Sequence, residues 1–174
     1  MKQITAIFGP GVNRVVIRDF ILRRVATYVY RFYYKKRCIF ISLDSVVKKN
    51  ICVVPLILII DIILRDEDDM TKVFLHYCCQ LIDQVLFRDH LYSFKSYWNF
   101  NYYIYLSKTE ACNSSHQISS CRYEEPIKTN RLNINLLEIC SSNQYLLCGS
   151  TDFMNHFHEH LLSCNVPTQN IILF

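Results

Sequence analysis

Gly9 and Gly11 fall in FGPGVN, and Gly149 falls in LLCGST. These are the chain's only glycines, three in 174 residues, where about 7% is ordinary. Each corner follows a short apolar run, Gln3–Phe8 (QITAIF) or Gln144–Cys148 (QYLLC), and each opens a stretch with helical spacing. A residue without a Cβ at a strand-to-helix junction lets backbone N–H groups approach a phosphate, and the helix N-terminus adds partial positive charge. Such corners also serve simply to pack a helix on a strand. Glycine alone leaves both uses open.

Other residues with chemical potential are weaker signals. His156 and His160 stand one helical turn apart, with His158 and Glu159 between them, and two such histidines can reach one metal. No third ligand is evident by spacing, and the polar face of an amphipathic helix accounts for all three histidines, so no metal is expected. The adjacent Cys78 and Cys79 read either as a redox pair or as packing. The stretch RFYYKKR (31–37), together with Arg23, Arg24, Tyr28 and Tyr30, mixes basic and aromatic residues as nucleic acid or an anionic membrane would favour. A solvated helix end with snorkelling stems explains it more simply. Asp66–Asp69 balances the charge. No nucleic-acid partner is expected.

The elements that must carry these residues follow from periodicity. Strands are expected at Gln3–Phe8, Lys72–Tyr77, Asn101–Leu106, Gln144–Cys148 and Asn170–Phe174. Helices are expected at Val12 to about Tyr30, about Leu81–Phe94, Asn133–Cys140 (short) and Thr151–Ser163. Residues 108–126 read as a polar loop. Alternating strands and helices imply an α/β, doubly wound, mostly parallel five-stranded sheet covered on both faces, a Rossmann-like module. Residues 1–174 are expected to form one domain, interrupted by an irregular insertion at 31–71. Within it, Ile51–Leu64 packs as a buried strand pair or a helix; alternatively the insertion is translated non-coding sequence.

Composition bounds the rest. Hydrophobic residues make up 51% and charged residues 20%, which excludes wholesale disorder. The net charge of +4 is too mild to demand a polyanionic partner. Nine cysteines, an odd count without a CxxC pair, indicate a reducing intracellular compartment, cytoplasmic or mitochondrial matrix, without a disulfide framework. The stretch Ile51–Leu64, interrupted by Pro55 and Asp61, falls short of the roughly 20 apolar residues of a membrane span. No secretory or mitochondrial leader is evident at the N-terminus.

Several of these segments, taken in order, resemble the ferredoxin–NADP reductase superfamily. LLCGSTDFMNHFHEHLLSCNVPTQNIILF is similar to its C-terminal segment, with Cys148, Gly149, Phe153, Val166, Pro167 and Phe174 matching. FGPGVN resembles the family's Gly-x-Gly-Ile-Thr/Asn-Pro loop through Gly9, Gly11, Val12 and Asn13. Leu86, Phe87, Asp89 and Leu91 fit the second strand's helix entry, Ser107 and Lys108 follow the third strand, and Arg131 and Asn133 fit the Gly-Arg-x-Thr/Asn segment. The resemblance covers 3–30 and 72–174.

It implies an NAD(P)H-binding, electron-transferring oxidoreductase module. Gly9, Gly11, Val12 and Asn13 would hug the pyrophosphate, and Ser107 and Lys108 would meet the adenosine. Cys148 and Gly149 would bracket the nicotinamide, Ser150 and Phe153 would also contact the cofactor, and Phe174 would face a flavin ring. Cys148 and Phe174 would flank the reacting atoms, with the redox chemistry belonging to the cofactors.

The sequence also departs from the family. Arg14, Ser150 and Asn130 replace a loop proline, the proline of Cys-Gly-Pro and the glycine before the arginine. No Arg-x-Tyr-Ser/Thr flavin motif appears, so the chain is expected to be truncated relative to the family, and FAD is expected only from another chain or domain. A degenerate, non-catalytic descendant would instead use its shell and the 31–71 segment for partner binding; in that case deleting 31–70 should abolish association but spare the fold.

Overall fold

The computed structural model describes residues 37–43, 53–108 and 125–174, all within one compact unit, residues 35–174. The expected Gln3–Phe8 strand, the Val12–Tyr30 helix, most of the basic-aromatic stretch and nearly all of the 108–126 loop lie outside these residues.

Six strands are described: β1 (Arg37–Leu43), β2 (Lys72–Cys79), β3 (Phe100–Leu106), β4 (Ile127–Lys128), β5 (Gln144–Cys148) and β6 (Ile171–Leu173). They form one sheet in the order β4-β3-β2-β1-β5-β6, and every pairing is parallel. The α-helices are α1 (Val53–Arg65), α2 (Arg88–Phe94) and α3 (Thr151–Ser163). From β1 the chain steps through α1 to β2 on one side, whereas from β5 it steps through α3 to β6 on the other. Because parallel crossovers are right-handed in nearly all cases, opposite steps put α1 and α3 on opposite faces. The sheet is therefore doubly wound, as the sequence implies, with six described strands where five were expected.

The larger correction concerns residues 31–71. The segment expected to be an irregular insertion supplies β1, the central strand, and α1, its crossover helix. Ile39 pairs with Phe74 on one side and Tyr145 on the other, so both neighbours of the central strand are taken. RCIFISL is a β-branched and aromatic run of the kind a doubly buried strand requires. In α1 Pro55 sits in the first turn, where a missing N–H costs nothing. Asp61 does not break the helix either: it stays at its surface and accepts from Arg65 Nε at 2.8 Å, one turn on. Leu56, Ile59 and Ile60 are fully buried, so of the two forms open to Ile51–Leu64 the helix is the one observed.

The face under α3 is built on Ile39, Ile41, Tyr145, Leu147 and Ile171, against Phe157, Leu161 and Val166. Tyr145, fully buried, satisfies its hydroxyl by accepting from the Cys140 N–H at 2.9 Å and donating to the Cys140 carbonyl at 3.0 Å. The expected Asn133–Cys140 helix is a single 3-10 turn, Ile134–Leu136. The expected Leu81–Phe94 helix is split into a 3-10 turn, Ile82–Gln84, and α2. At the split the Leu86 N–H donates to the buried Tyr77 hydroxyl at 3.2 Å, and Phe87 turns to φ 57°. Arg88 and Glu125 form a bidentate ion pair, with Nε to both carboxylate oxygens at 2.8 and 2.9 Å, tying α2 to the segment entering β4.

Candidate functional site

Strand order reverses between β1 and β5, and in open parallel sheets this switch point opens a crevice beyond the carboxyl ends of the strands. β5 ends there in Cys148, followed by Gly149 at φ 157° and Ser150. Ser150 caps α3: its Oγ accepts from the Phe153 N–H at 3.3 Å. Ser150 is exposed, and Gly149 and Phe153 are half-buried. The corner thus presents backbone and a helix N-terminus rather than bulky side chains. Phe174 follows β6, and its N–H donates to the Leu147 carbonyl at 3.0 Å, which fixes the aromatic residue beside the end of β5.

Ser107 and Lys108 lie at the same edge on the far side of β1. Their N–H groups donate to the Cys79 and Gln80 carbonyls at 2.9 and 3.2 Å, extending the β2–β3 ladder, and both residues are exposed. Three inter-strand steps separate β3 from β5, about 14 Å at roughly 4.8 Å each. The edge is therefore a broad shelf with Ser107 and Lys108 at one end and Gly149, Ser150, Phe153 and Phe174 at the other.

Cys148 is fully buried, so the surface of the corner is made by the residues around it. Burial pushes the Cys78 thiol up to about 12, with Cys79 adding to the effect. Cys78 is held as a thiol, which favours packing over redox chemistry for the Cys78–Cys79 pair. None of Cys78, Cys79, Cys140, Cys148 and Cys164 forms a disulfide. His160 Nε2 lies 3.7 Å from Cys164 Sγ, and His156 packs edge-on to Phe157. Among the described residues no three His, Cys, Asp or Glu side chains converge as a metal site, and no helix is long and apolar enough to cross a membrane.

Gly9, Gly11, Val12 and Asn13 lie outside the described residues. The place between β2 and β5 in the sheet is taken by Arg37–Leu43. The chain leaves that strand through residues 44–52, DSVVKKNIC, which contain no glycine. The one signal that would have located this crossover is the apolar run of α1 directly after a β-branched run; the glycines drew the expectation elsewhere.

A second concavity lies over the face of the sheet. His76, Tyr103 and Tyr105 form an aromatic floor: the His76 ring stacks on Tyr103 (centroids 5.8 Å apart, 20° between planes), and its Nδ1 is 3.1 Å from the Tyr105 hydroxyl. Lys128 Nζ sits 4.5 Å from the Tyr103 centroid and 5.4 Å from that of Tyr105. Burial first, and Lys128 second, lower the His76 pKa to about 4, so the imidazole is neutral at pH 7. Burial also raises Tyr105 to about 12, so its hydroxyl keeps its proton. Sequence reasoning did not single out His76, Tyr103, Tyr105 or Lys128. Their convergence depends on strand register, with His76 opposite Tyr103 and Tyr105 opposite Lys128.

No family model matches the sequence, and neither does any curated protein. Solved structures do match. The cytochrome b5 reductase domain of Ulva prolifera nitrate reductase aligns with a TM-score of 0.60 at 17% identity, covering 80% of this chain and 50% of that one. Flavohemoglobin from Malassezia yamatoensis, with bound FAD and heme, gives 0.63 at 13%, covering 84% and 33%. The CS-b5R domains of human Ncb5or, in the NAD+ form, give 0.60 at 15%, covering 84% and 38%. The chain thus spans half or less of the length of these proteins. It has the fold of the NAD-binding domains of ferredoxin–NADP reductase-like proteins.

Proposed function

We propose that the chain is the NAD(P)H-binding half of a flavin-dependent oxidoreductase and holds the nicotinamide for hydride transfer to a flavin carried by another domain or protein. The observation that carries this reading is the reversal of strand order between β1 and β5, with Gly149, Ser150 and the start of α3 at the carboxyl edge. The corner fits a dinucleotide: a Cβ at 149 would fill the approach, Ser150 leaves its surface free, and Phe174 is tied beside it. In this reading Gly149, Ser150 and Phe153 border the nicotinamide, Phe174 shields the reacting face, and Ser107 and Lys108 meet the adenosine end. Bound NAD(P)H would supply the hydride; the chain's own part is orientation and exclusion of water. Gly9, Gly11, Val12 and Asn13 keep the pyrophosphate role only by resemblance. Cys148, buried as it is, supports the corner from beneath. The cysteine content supports a reducing compartment, cytoplasmic or mitochondrial.

Calorimetric titration with NADH and NADPH tests this. Saturable binding is expected, and Gly149→Val should weaken it at least about tenfold, roughly 1.4 kcal/mol. If neither nucleotide gives a saturable signal at millimolar concentration, the reading fails. A second reading, a non-catalytic shell used for partner binding, draws support from the glycine-free segment 44–52 that follows the central strand.

A further inference from the structure

The cavity above His76 has a volume of about 360 Å³, at the lower end for small-molecule sites. That volume suits a ligand of one or two rings and is too small for a dinucleotide. It lies over His76 of β2 and Tyr103 and Tyr105 of β3, and its lining does not include Gly149, Ser150 or Phe153. Its walls are apolar, from Ile39, Phe74, Leu132 and Leu137, while Lys128, Asn130 and Glu138 stand at its polar side.

The charges there are specific. Lys128 is held against two tyrosine faces, and it makes no ion pair among the described residues. Lys128 stands beside the aromatic residues, over the Tyr103 and Tyr105 rings, whereas Glu138 belongs to the same lining as Asn130 and Asn133. His76 engages Tyr105 through Nδ1, which leaves Nε2 as a group able to meet a ligand.

We propose that this cavity is a second binding site, for a small aromatic carboxylate: the ring lies between the His76–Tyr103 floor and the Phe74 and Leu137 walls, and the carboxylate accepts from Lys128 and Asn130. Aromatic floor and fixed cation together select a planar anion over an aliphatic acid, which lacks the ring, and over an aromatic amine, which Lys128 repels. The site is independent of the dinucleotide reading.

Benzoate is the probe, titrated into the full chain and followed by tyrosine fluorescence and calorimetry, with acetate, benzamide and benzylamine as comparators. Saturable benzoate binding is expected, each comparator being at least about tenfold weaker, roughly 1.4 kcal/mol. Lys128→Gln and Tyr103→Leu should each weaken benzoate by a similar factor without changing the circular dichroism. Gly149→Val should leave it unaltered. Absence of saturation at about 10 mM benzoate, equal binding of benzylamine, or an unchanged affinity in Lys128→Gln would overturn the proposal. Loss of benzoate binding in Gly149→Val would also overturn it, by merging the two sites.

Discussion

The sheet contains two helical crossovers of one kind built from unlike sequence. From β1 the chain passes through glycine-free residues 44–52 into α1, whose Leu56, Ile59 and Ile60 are wholly buried. From β5 it passes through Gly149 and Ser150 into α3, which buries only Phe157 and Leu161 and exposes most of its other side. α1 is held by burial. α3 is held by local devices at both ends: the Ser150 cap, and a C-terminal turn in which the Asn165 and Val166 N–H groups donate to the Leu162 and Leu161 carbonyls at 3.0 and 3.1 Å. Val166, itself buried, closes that turn on the core, a Schellman arrangement with Asn165 at φ 59°. The same topology is thus reached through tertiary packing in one half and through local signals in the other.

The sharpest way to break this comparison is deletion of residues 31–70. It removes the central strand and α1, so the expected outcome is complete loss of cooperative unfolding by circular dichroism, where an inserted surface segment would leave the transition in place. A single truncation in α1, Ile60→Ala, should cost about 2–5 kcal/mol in denaturant titration because the site is enclosed on all sides.

Acid should also act unequally. β2, where the first crossover lands, carries His76, whereas β6, where the second lands, carries no ionisable side chain. The folded pKa of His76, about 4, lies below the ordinary 6.5, so between those values the unfolded chain binds the extra proton. Stability is full above pH 6.5 and falls as pH drops toward 4, by on the order of 3 kcal/mol. Hydrogen exchange should then loosen the β2–β3 ladder before the β5–β6 ladder.

At α3 the effects shrink. Ser150→Ala should cost about 1 kcal/mol. Asn165→Gly, at a left-handed position that asparagine already tolerates, should gain a few tenths of a kcal/mol by relieving the Cβ. Thermal unfolding would read both. If Ser150→Ala costs as much as Ile60→Ala, the contrast between the halves is mistaken.

These differences explain what was legible. QYLLC and TDFMNHFHEHLLS declare strand and helix by apolar run, by period and by a serine cap, and both are found as expected, Gln144–Cys148 and Thr151–Ser163. RCIFISL and VVPLILIIDIILR lack such punctuation. A helix apolar around most of its circumference has no stripe to betray its period, and Pro55 and Asp61 look like interruptions until their positions in the first turn and at the surface are known. The split between Ile82–Gln84 and α2 depends on the Tyr77 hydroxyl reaching Leu86, a tertiary contact that local propensity does not encode. The doubly wound class survived because alternation is counted over the whole chain. Gly149, Ser150, Phe153, Ser107, Lys108 and Phe174 were legible as strand ends and a helix start, which is why they lie at one edge of the sheet, while His76 and Lys128 meet only through strand register.

Among the described residues the strands at the two ends of the sheet are the shortest, Ile127–Lys128 and Ile171–Leu173. Two or three residues expose too few open amide and carbonyl groups to recruit a neighbour's backbone, and Lys128 adds charge at one of those borders. Such short end strands give this highly apolar set of described strands little backbone with which to pair edge to edge into fibrils.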